Sequence, residues 1–521
     1  MGSMTEAARQ TTTVAYAGSD FLQLDVGDAP AGGKAEWLAG QLRQAVADGR
    51  LAVGHRLPPT RVLADELRVS RGVVVEAYRR LTEDGHVEGR RRGGTVVVAA
   101  PVGPVGVGTP VAPVPGTTAT TAQAAVPAAP AAPARVGQLP PYQRLFGGEP
   151  GPEVFDALRA APARVDFTPG RPDLTAFPRA AWLRAERAVL AELSADHLGY
   201  GDPGGAAVLR RAVAGWLARN RGIRVEPDEV LIVAGTAQAL TLLHPVLRAD
   251  GLDAVAVEDP GSLGTRQHLR NGGLATPPVP VDEDGIRVDA LRATGAGAVL
   301  LTPAHQFPTG VVTSGERRRE LLAWAEESGG LIIEDDYDAE HRYDRPPVPA
   351  LRGLLADRVC YMGSVSKLLA PALRIGWVVP PPRHRAGLVE AKRFTDLGNA
   401  VLPQLVLARL MVSGALERHL RTLRGRHQRR RDAMIRAVAA HLPGAVVHGA
   451  AAGLHLTVTY DSGMPDTELA AAALARGVKC QPLSWHRQAP SDRQGLVLGY
   501  AACATSTITE GVRELEAALR G

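Results

Sequence analysis

Five short apolar runs of this chain end in residues that can do chemistry. In each run, aliphatic residues give way to small, hydroxylated, acidic or basic side chains: the runs are 230–233, 254–257, 298–301, 331–333 and 359–362. Helical stretches separate them, which predicts alternating strands and helices and therefore a mainly parallel sheet in an α/β fold. Because the carboxyl ends of parallel strands meet at one edge of a sheet, we expect the polar residues beyond them to form a ligand site.

One group of these residues is suited to a phosphate. Gly235, Thr236 and Ala237 open a predicted helix, so their backbone N–H groups and the helix dipole can hold an anion. Two hydroxyl groups and a guanidinium follow the last run and add further donors: they are Ser364, Ser366 and Arg374.

A second group is suited to an aldehyde on a pyridine ring. Lys367 can form a Schiff base with an aldehyde, and a buried carboxylate at Asp335 can pair with a protonated pyridine nitrogen. Tyr337 can hydrogen-bond a ring hydroxyl. Phosphate, aldehyde and pyridine occur together in pyridoxal 5'-phosphate (PLP), which we therefore predict as the cofactor.

An uncharged segment divides the chain. No charged residue occurs from Ala99 to Ala134, where Ala, Pro, Val, Thr and Gly dominate, and such a segment forms no core. We predict a tail at 1–33, a small module at 34–98, a linker at 99–141 and a large module at 142–521. A disordered insertion within one domain is the alternative, but the composition differs strongly on its two sides.

The small module has the pattern of a winged helix-turn-helix. Apolar spacing predicts helices over residues 35–48, 59–67 and 71–83, and two short strands flank a basic, glycine-rich turn at 90–94. The module holds 12 basic and 8 acidic residues, a balance that suits an anionic partner or an ordinary solvated face.

Most of this module resembles GntR-type DNA-binding domains, through the stretch LPPTRVLADELRVSRGVVVEAYRRLTEDGHVEGRRRGGTVV. The resemblance implies double-stranded operator DNA as a partner, with the helix that begins at Ser70 and Arg71 entering the major groove. The expected DNA contacts are Arg61, Ser70, Arg71, Arg91, Arg92, Gly93 and Gly94. A winged helix used for protein contacts is the alternative.

The large module is similar to fold-type I aminotransferases, and the whole chain resembles the MocR group of bacterial regulators. The motifs that carry this likeness are FP at 177–178, YGDPGG at 200–205, GTAQAL at 235–240, HQFPTG at 305–310, EDDYD at 334–338 and SKLLAP at 366–371. The resemblance implies a large, mainly parallel-sheet domain over about 190–395 and a smaller α+β domain over about 400–521.

The same resemblance implies roles for individual residues. Lys367 would bind PLP through a Schiff base, Asp335 would contact the pyridine nitrogen and Tyr337 the ring oxygen. The phosphate would lie against Gly235, Thr236, Ala237, Ser364, Ser366 and Arg374. In a head-to-tail homodimer, Tyr200 would reach the neighbour's phosphate. Asp336 competes with Asp335, because the acidic pair permits a slip of one residue.

Two departures from the aminotransferase pattern weaken the interpretation as an enzyme. Ser262 and Leu263 stand where many relatives place an aromatic residue that stacks on the cofactor. Val497 lies near the position of the arginine that clamps a substrate carboxylate, and moving Arg493 into that position would break the strand register. Losing the clamp removes both affinity and orientation for amino acids.

Three functions are compatible with these patterns. The first is a transcription regulator whose PLP-bearing module senses a small-molecule effector, either an amino compound or PLP itself. The second is an active aminotransferase with an accessory winged helix, and the third is a DNA-binding protein whose large module only dimerises. A basic stretch at 419–431 favours a solvated or interdomain helix face over a second DNA surface.

Composition excludes several classes of protein. The three cysteines (Cys360, Cys480 and Cys503) are too far apart in sequence for a disulfide scaffold or a cysteine-rich zinc module, and we predict no metal. No apolar run approaches the roughly 18 residues of a transmembrane helix. We therefore expect a cytoplasmic bacterial protein without a membrane partner.

Overall fold

The computed structural model describes residues 24, 26–30, 33–47, 51, 54–83, 86–90, 94–98, 141–338, 340–343 and 349–521. The chain folds into two compact units, Met1–Val136 and Gly137–Gly521. Nearly all of the predicted tail and linker lies outside the described residues.

The described residues of the smaller unit form three α-helices and a hairpin. The helices are α1 (Lys34–Ala47), α2 (Thr60–Glu66) and α3 (Arg71–Glu83), and the antiparallel strands are β1 (Val87–Arg90) and β2 (Gly94–Val97). Leu42, Leu63 and Leu81, one from each helix, are buried in a common core. The Tyr78 hydroxyl donates to the Pro58 carbonyl at 2.8 Å and ties α3 to the turn before α2. The predicted winged helix-turn-helix is confirmed, with helix ends within a residue or so of the expected positions.

The larger unit contains thirteen helices among its described residues: α4 (Pro141–Phe146), α5 (Val154–Ala160), α6 (Arg179–Glu192), α7 (Ala207–Arg221), α8 (Thr236–Ala249), α9 (Leu263–Asn271), α10 (Val288–Thr294), α11 (Gly315–Ser328), α12 (Pro382–Asp396), α13 (Val401–Val412), α14 (Ala415–His441), α15 (Asp466–Ala475) and α16 (Thr505–Leu519). α13 packs against α6 and α7.

Eight strands of this unit form its main sheet: β4 (Leu231–Val233), β5 (Ala256–Asp259), β6 (Pro278–Asp282), β7 (Gly285–Ile286), β8 (Ala298–Leu301), β9 (Leu331–Asp336), β10 (Val359–Ser364) and β11 (Gly376–Val379). Their order is β4-β11-β10-β9-β8-β5-β6-β7. Strands β6, β5, β8, β9 and β10 are successively parallel, while β11 is antiparallel to both β10 and β4. All five predicted runs therefore form strands that point in the same direction, with β4 separated from the others by the antiparallel β11. The α/β fold class is confirmed.

A second, antiparallel sheet has the order β12-β13-β16-β15. Its strands are β12 (Val446–His448), β13 (His455–Tyr460), β15 (Gln481–Pro482) and β16 (Gln494–Gly499), and a separate parallel pair joins β3 (Val165–Asp166) to β14 (Val478–Lys479). The core beside this sheet also takes in Phe146, Val154 and Phe167. Residues far apart in sequence thus share one core with the C-terminal part of the chain.

Strand β9 is longer than its apolar run. It continues through the acidic residues to Asp336, because Asp335 pairs with Met362 and Asp336 with Gly363 of β10. Since successive strand residues point to opposite faces of a sheet, neighbouring acidic residues on β9 face opposite ways.

One face of β9 contains a buried ion pair. Asp336 accepts from Arg221 Nε at 2.5 Å, and both side chains are 1% exposed. The Tyr361 hydroxyl donates to the same carboxylate oxygen at 2.6 Å. These contacts join β9, β10 and the end of α7 beneath the sheet.

Among the described residues, no helix combines the length and apolarity needed to cross a membrane.

Breaking the buried pair should destabilise the larger unit. We expect Asp336→Ala to lower the free energy of unfolding by about 3–5 kcal/mol, because it removes one carboxylate from a fully buried ion pair. Tyr361→Phe should cost about 1 kcal/mol. Chemical denaturation measures both, and Asp289→Ala, which breaks an exposed pair with Arg287, is the control that should change little. Equal losses in Asp336→Ala and Asp289→Ala would contradict this account.

Candidate functional site

A cavity of about 330 Å³ lies at the carboxyl ends of the parallel strands. Each of the five predicted runs brings a polar residue to its lining: these are Thr236 after β4, Glu258 on β5, Thr302 after β8, Asp335 on β9 and Lys367 after β10. The alternation of strands and helices therefore brings these five residues to one cavity.

Lys367 points into this cavity and is partly buried. Its Nζ donates a hydrogen bond to the Gly170 carbonyl. Gly170 has a φ of +74°, which L side chains rarely adopt, and a Cβ there would lie 2.9 Å from Lys367 Nζ, so glycine is favoured beside the lysine. Burial lowers the pKa of Lys367, although the carboxylates of Asp338 and Asp335 oppose the shift. A lowered pKa favours the neutral, nucleophilic amine.

Asp335 and Asp336 occupy different environments. Asp335 lines the cavity, whereas Asp336 is held by Arg221 and Tyr361 on the other face. The Asp335 Oδ1 is buried and has no hydrogen-bond partner in the part of the chain that the structure describes. Burial, with the nearby charge of Asp336, raises the pKa of Asp335 from 3.8 to about 7. Between these neighbours, Asp335 is thus the carboxyl group that a ligand in the cavity can reach.

Tyr337 lines the same cavity and has a buried partner behind it. Its hydroxyl lies 3.1 Å from His305 Nδ1, which in turn lies 2.9 Å from Asp338 Oδ2. Burial, followed by the charge of Asp338, raises the pKa of Tyr337 well above its usual value. The phenol therefore remains protonated at neutral pH and can donate a hydrogen bond.

The residues predicted to hold a phosphate meet beside the first turn of α8. Gly235 has a φ of +81°, and a Cβ there would lie 3.2 Å from Arg374 Nη1. Arg374, itself at a φ of +51°, donates through Nη2 to the Ala234 carbonyl. A Cβ on Gly376 would lie 3.0 Å from Gly235 Cα and 3.2 Å from Ser364 Cβ. Gly235, Ser364 and Arg374 are therefore close together.

The remaining predicted residues lie around this group or apart from it. Ala237 belongs to the first turn of α8, and the Ser366 backbone N–H donates to Ser364 Oγ at 3.3 Å. Tyr200 is 95% exposed and is not part of the cavity lining. Within a single chain, the structure does not bring Tyr200 to the site.

Both departures from the aminotransferase pattern have a structural counterpart. Ser262 caps α9, where its Oγ accepts from the Thr265 backbone N–H at 3.2 Å. Val497 is fully buried on β16 and pairs with Thr457 and Gln481. Arg493 is exposed and precedes β16. No arginine of the described residues thus occupies the β16 position opposite Gln481.

Sequence reasoning missed several residues of the cavity: Phe155, Leu158, Arg159, Gly170, Gln481 and His486. Glu258 and Thr302 were expected among the polar residues beyond the apolar runs but were given no individual role. Burial raises the pKa of Glu258 to about 7. The residues from α5 and from the second sheet carry no local signal, since only the tertiary fold brings them to the strand ends.

In the smaller unit, Arg61, Ser70 and Arg71 are exposed at the starts of α2 and α3. Arg71 Nε lies 3.4 Å from Thr60 Oγ1, which links the two helix starts. Gly94 opens β2 with a φ of +70°. Of the predicted DNA contacts, Arg91, Arg92 and Gly93 lie outside the described residues.

The basic stretch at 419–431 lies on α14 and is divided between two environments. Arg426 and Arg430 point inward to Asp173, at 3.0 and 2.8 Å, and Arg431 lies over the Tyr343 ring. The exposed members are Arg421, Arg424 and Arg429. Part of this stretch is therefore structural.

Comparison with known families agrees with this two-part architecture. Residues 166–513 match the family "Aminotransferase class I and II", and residues 34–97 match "Bacterial regulatory proteins, gntR family". A probable rhizopine catabolism regulatory protein, MocR, from Rhizobium meliloti is 32% identical over 92% of this chain and 92% of its own length. The chain belongs to the MocR-type regulators. It is a helix-turn-helix transcription regulator with an aminotransferase-like domain.

Two further proteins illustrate the two kinds of likeness, one to a regulator and one to an aminotransferase. The pyridoxine biosynthesis transcriptional regulator PdxR of Corynebacterium glutamicum is 29% identical over 92% of this chain and 95% of its own length. The crystal structure of LysN, the α-aminoadipate aminotransferase of Thermus thermophilus, has a TM-score of 0.64 and 29% identity, covering 74% of this chain and 97% of LysN. LysN was crystallised with N-(5'-phosphopyridoxyl)-L-leucine.

The raised pKa of Asp335 predicts a pH dependence of stability for this MocR-type regulator without cofactor. Below pH 3.8 the carboxyl is protonated in both folded and unfolded chains. As the pH rises from 3.8 to about 7, the Asp335 carboxyl ionises in the unfolded chain but stays protonated in the folded chain. The free energy of unfolding therefore falls across this pH range. Asp335→Asn should reduce that fall, measured by denaturation at several pH values. An unchanged slope would contradict the assignment to Asp335.

Proposed function

We propose that this regulator binds operator DNA through its winged helix and carries PLP on Lys367, and that the PLP-bearing cavity senses a small-molecule effector. The effector is an amino compound or PLP itself. The observation that carries the proposal is the convergence of Lys367, Asp335 and Tyr337 on one cavity at the carboxyl ends of parallel strands.

The polar groups of the cavity match the parts of PLP. Asp335 Oδ1 has no hydrogen-bond partner among the described residues and would accept from a protonated pyridine nitrogen, which also favours the ionised carboxylate. The Tyr337 hydroxyl would donate to the ring oxygen. When bound, PLP supplies an aldehyde carbon that bonds covalently to an amine and a ring that withdraws electrons from it.

The phosphate would lie at the start of α8. Backbone N–H groups of Thr236 and Ala237 point out of the first helical turn, where the dipole favours an anion. Arg374 adds a guanidinium charge held beside Gly235, and the Ser364 and Ser366 hydroxyls add donors. Arg374 adopts a left-handed backbone conformation, a kind of strain that is typical of ligand-binding positions.

The proposed DNA surface is the exposed beginning of α3. Ser70 and Arg71 would enter the major groove, while Arg61 would neutralise a phosphate. The wing, with Arg91, Arg92, Gly93 and Gly94, would approach the backbone. The protein would act in the bacterial cytoplasm, where the operator is.

A head-to-tail homodimer is part of the proposal. Tyr200 is almost fully exposed in one chain, which fits a residue that completes the phosphate site of a neighbour. Val497, buried where a carboxylate clamp is expected, favours sensing over turnover of amino acids.

Loss of Lys367 tests the cofactor. PLP added to the wild-type protein should give the visible absorption band of a lysine Schiff base, and Lys367→Ala should abolish it. Lys34→Ala, which removes an exposed lysine of α1 in the other unit, is the matched control and should retain the band. A band of equal intensity in Lys367→Ala would refute the assignment.

Titration with DNA from the gene's own upstream region tests the regulator. Arg71→Ala should weaken binding and reduce the slope of log affinity against log salt by about 1. Arg43→Ala on α1, which loses a pair with Glu36, should leave both nearly unchanged. Repeating the titration with PLP and an effector should shift the affinity. Binding without sequence preference at moderate salt would contradict the proposal.

A further inference from the structure

The second sheet contributes one amide to the cavity. Gln481, on β15, lines the cavity and is only 4% exposed. It pairs across the strands with Val497, which pairs in turn with Thr457, so the three side chains share one face of the sheet. The Thr457 hydroxyl donates to the Pro308 carbonyl at 2.6 Å. Gln481 therefore lies beside the valine that stands where a carboxylate clamp was expected.

A series of hydrogen bonds fixes the orientation of this amide. The Leu263 backbone N–H donates to His486 Nδ1 at 3.4 Å. An imidazole nitrogen that accepts carries no proton, so neutral His486 has its proton on Nε2. Burial lowers the pKa of His486 to about 3, with the charge of Arg266 adding to the shift, so the ring is neutral at physiological pH. His486 Nε2 then donates to Gln481 Oε1 at 3.1 Å.

The same hydrogen bonds determine which end of the amide a ligand meets. With Oε1 occupied by His486, Gln481 Nε2 has its two N–H donors left, and it makes no hydrogen bond within the described residues. His486 is itself held in place, because its carbonyl accepts from the Gly261 N–H at 2.7 Å and from Arg266 Nη1 at 3.1 Å. The cavity thus presents a fixed, neutral donor at the end formed by the second sheet.

Charge at this end decides the class of ligand. Val497 is fully buried, so a carboxylate placed against it would lose water without gaining a cation. Of the described residues that line the cavity, Arg159 is the one arginine; its side chain is 66% exposed and already pairs with Asp156. Water therefore screens the charge of Arg159.

We propose that Gln481, oriented by His486, selects effectors that carry a neutral hydrogen-bond acceptor, such as a hydroxyl, ether or amide oxygen, rather than a carboxylate. The effector is then an amino compound other than an ordinary amino acid. This inference rests on the proposed function, because it concerns the far end of a ligand whose amino group meets the PLP-bearing lysine.

Calorimetric titration of the PLP-loaded, full-length protein tests the inference with three probes. Methoxyethylamine and butylamine have nearly the same shape, but only the first has an acceptor oxygen; β-alanine carries a carboxylate. We expect wild-type protein to bind methoxyethylamine about three- to tenfold more tightly than butylamine, the range of one neutral hydrogen bond. β-Alanine should bind more weakly than methoxyethylamine.

Gln481→Leu should remove the preference for methoxyethylamine over butylamine. Gln428→Leu, the same change at an exposed position on α14, is the matched control and should keep it. Equal binding of the two amines by wild-type protein, tighter binding of β-alanine, or no binding of any probe would overturn the inference. The visible absorption band, measured on each sample, separates these outcomes: if wild-type protein lacks the band, the proposed function has failed instead.

Discussion

The site depends on how strand β9 distributes three consecutive carboxyl groups. Because strand side chains alternate between faces, Asp335 points into the cavity while Glu334 and Asp336 point away from it. The two that point away make hydrogen bonds within the protein: Glu334 accepts from the backbone N–H groups of Leu351 and Arg352, and Asp336 accepts through Oδ2 from Arg221 and Tyr361. Asp335 differs from both, because its carboxyl group has no hydrogen-bond partner among the described residues, although its Oδ1 is buried. Burying three carboxyl groups is costly unless each has a partner, and a protonated ring nitrogen would complete the set.

The cavity is built from both sheets of the larger unit. The parallel strands supply Thr236, Asp335 and Lys367, whereas Gln481 and His486 belong to the antiparallel sheet and its adjoining turn. The Gly261 and Arg266 contacts to the backbone around His486 join the two parts next to the cavity. A ligand that touches both parts stabilises the arrangement in which they are close, and a ligand can shift a conformational equilibrium only by such differential contact. Under the proposed function, sensing therefore needs no chemical turnover.

The two departures from the aminotransferase pattern do not say equally much about function. Ser262 has a structural task as the cap of α9, so its presence says little about the reaction. Val497 stands where the aminotransferase pattern has an arginine, so this buried position lacks a cation. No described residue of the lining supplies a cation at the same place. Gln481, which pairs with Val497 on the neighbouring strand, offers a neutral amide donor there without a charge. Under the proposed function, this exchange keeps recognition of a ligand but disfavours the carboxylate of an amino acid.

The sequence by itself determined the winged helix and the five strands whose polar ends meet, because these follow from local composition and periodicity. It also grouped Lys367, Asp335, Tyr337 and the residues around Gly235, since each follows one of the apolar runs. It placed Asp335 on the pyridine nitrogen only through the resemblance and left Asp336 as a competitor, because the choice depends on where β9 ends and which face each residue takes. Nor could it find Gly170, Gln481 and His486: their approach to the Lys367 cavity depends on packing between segments more than a hundred residues apart in sequence, which only the tertiary structure decides.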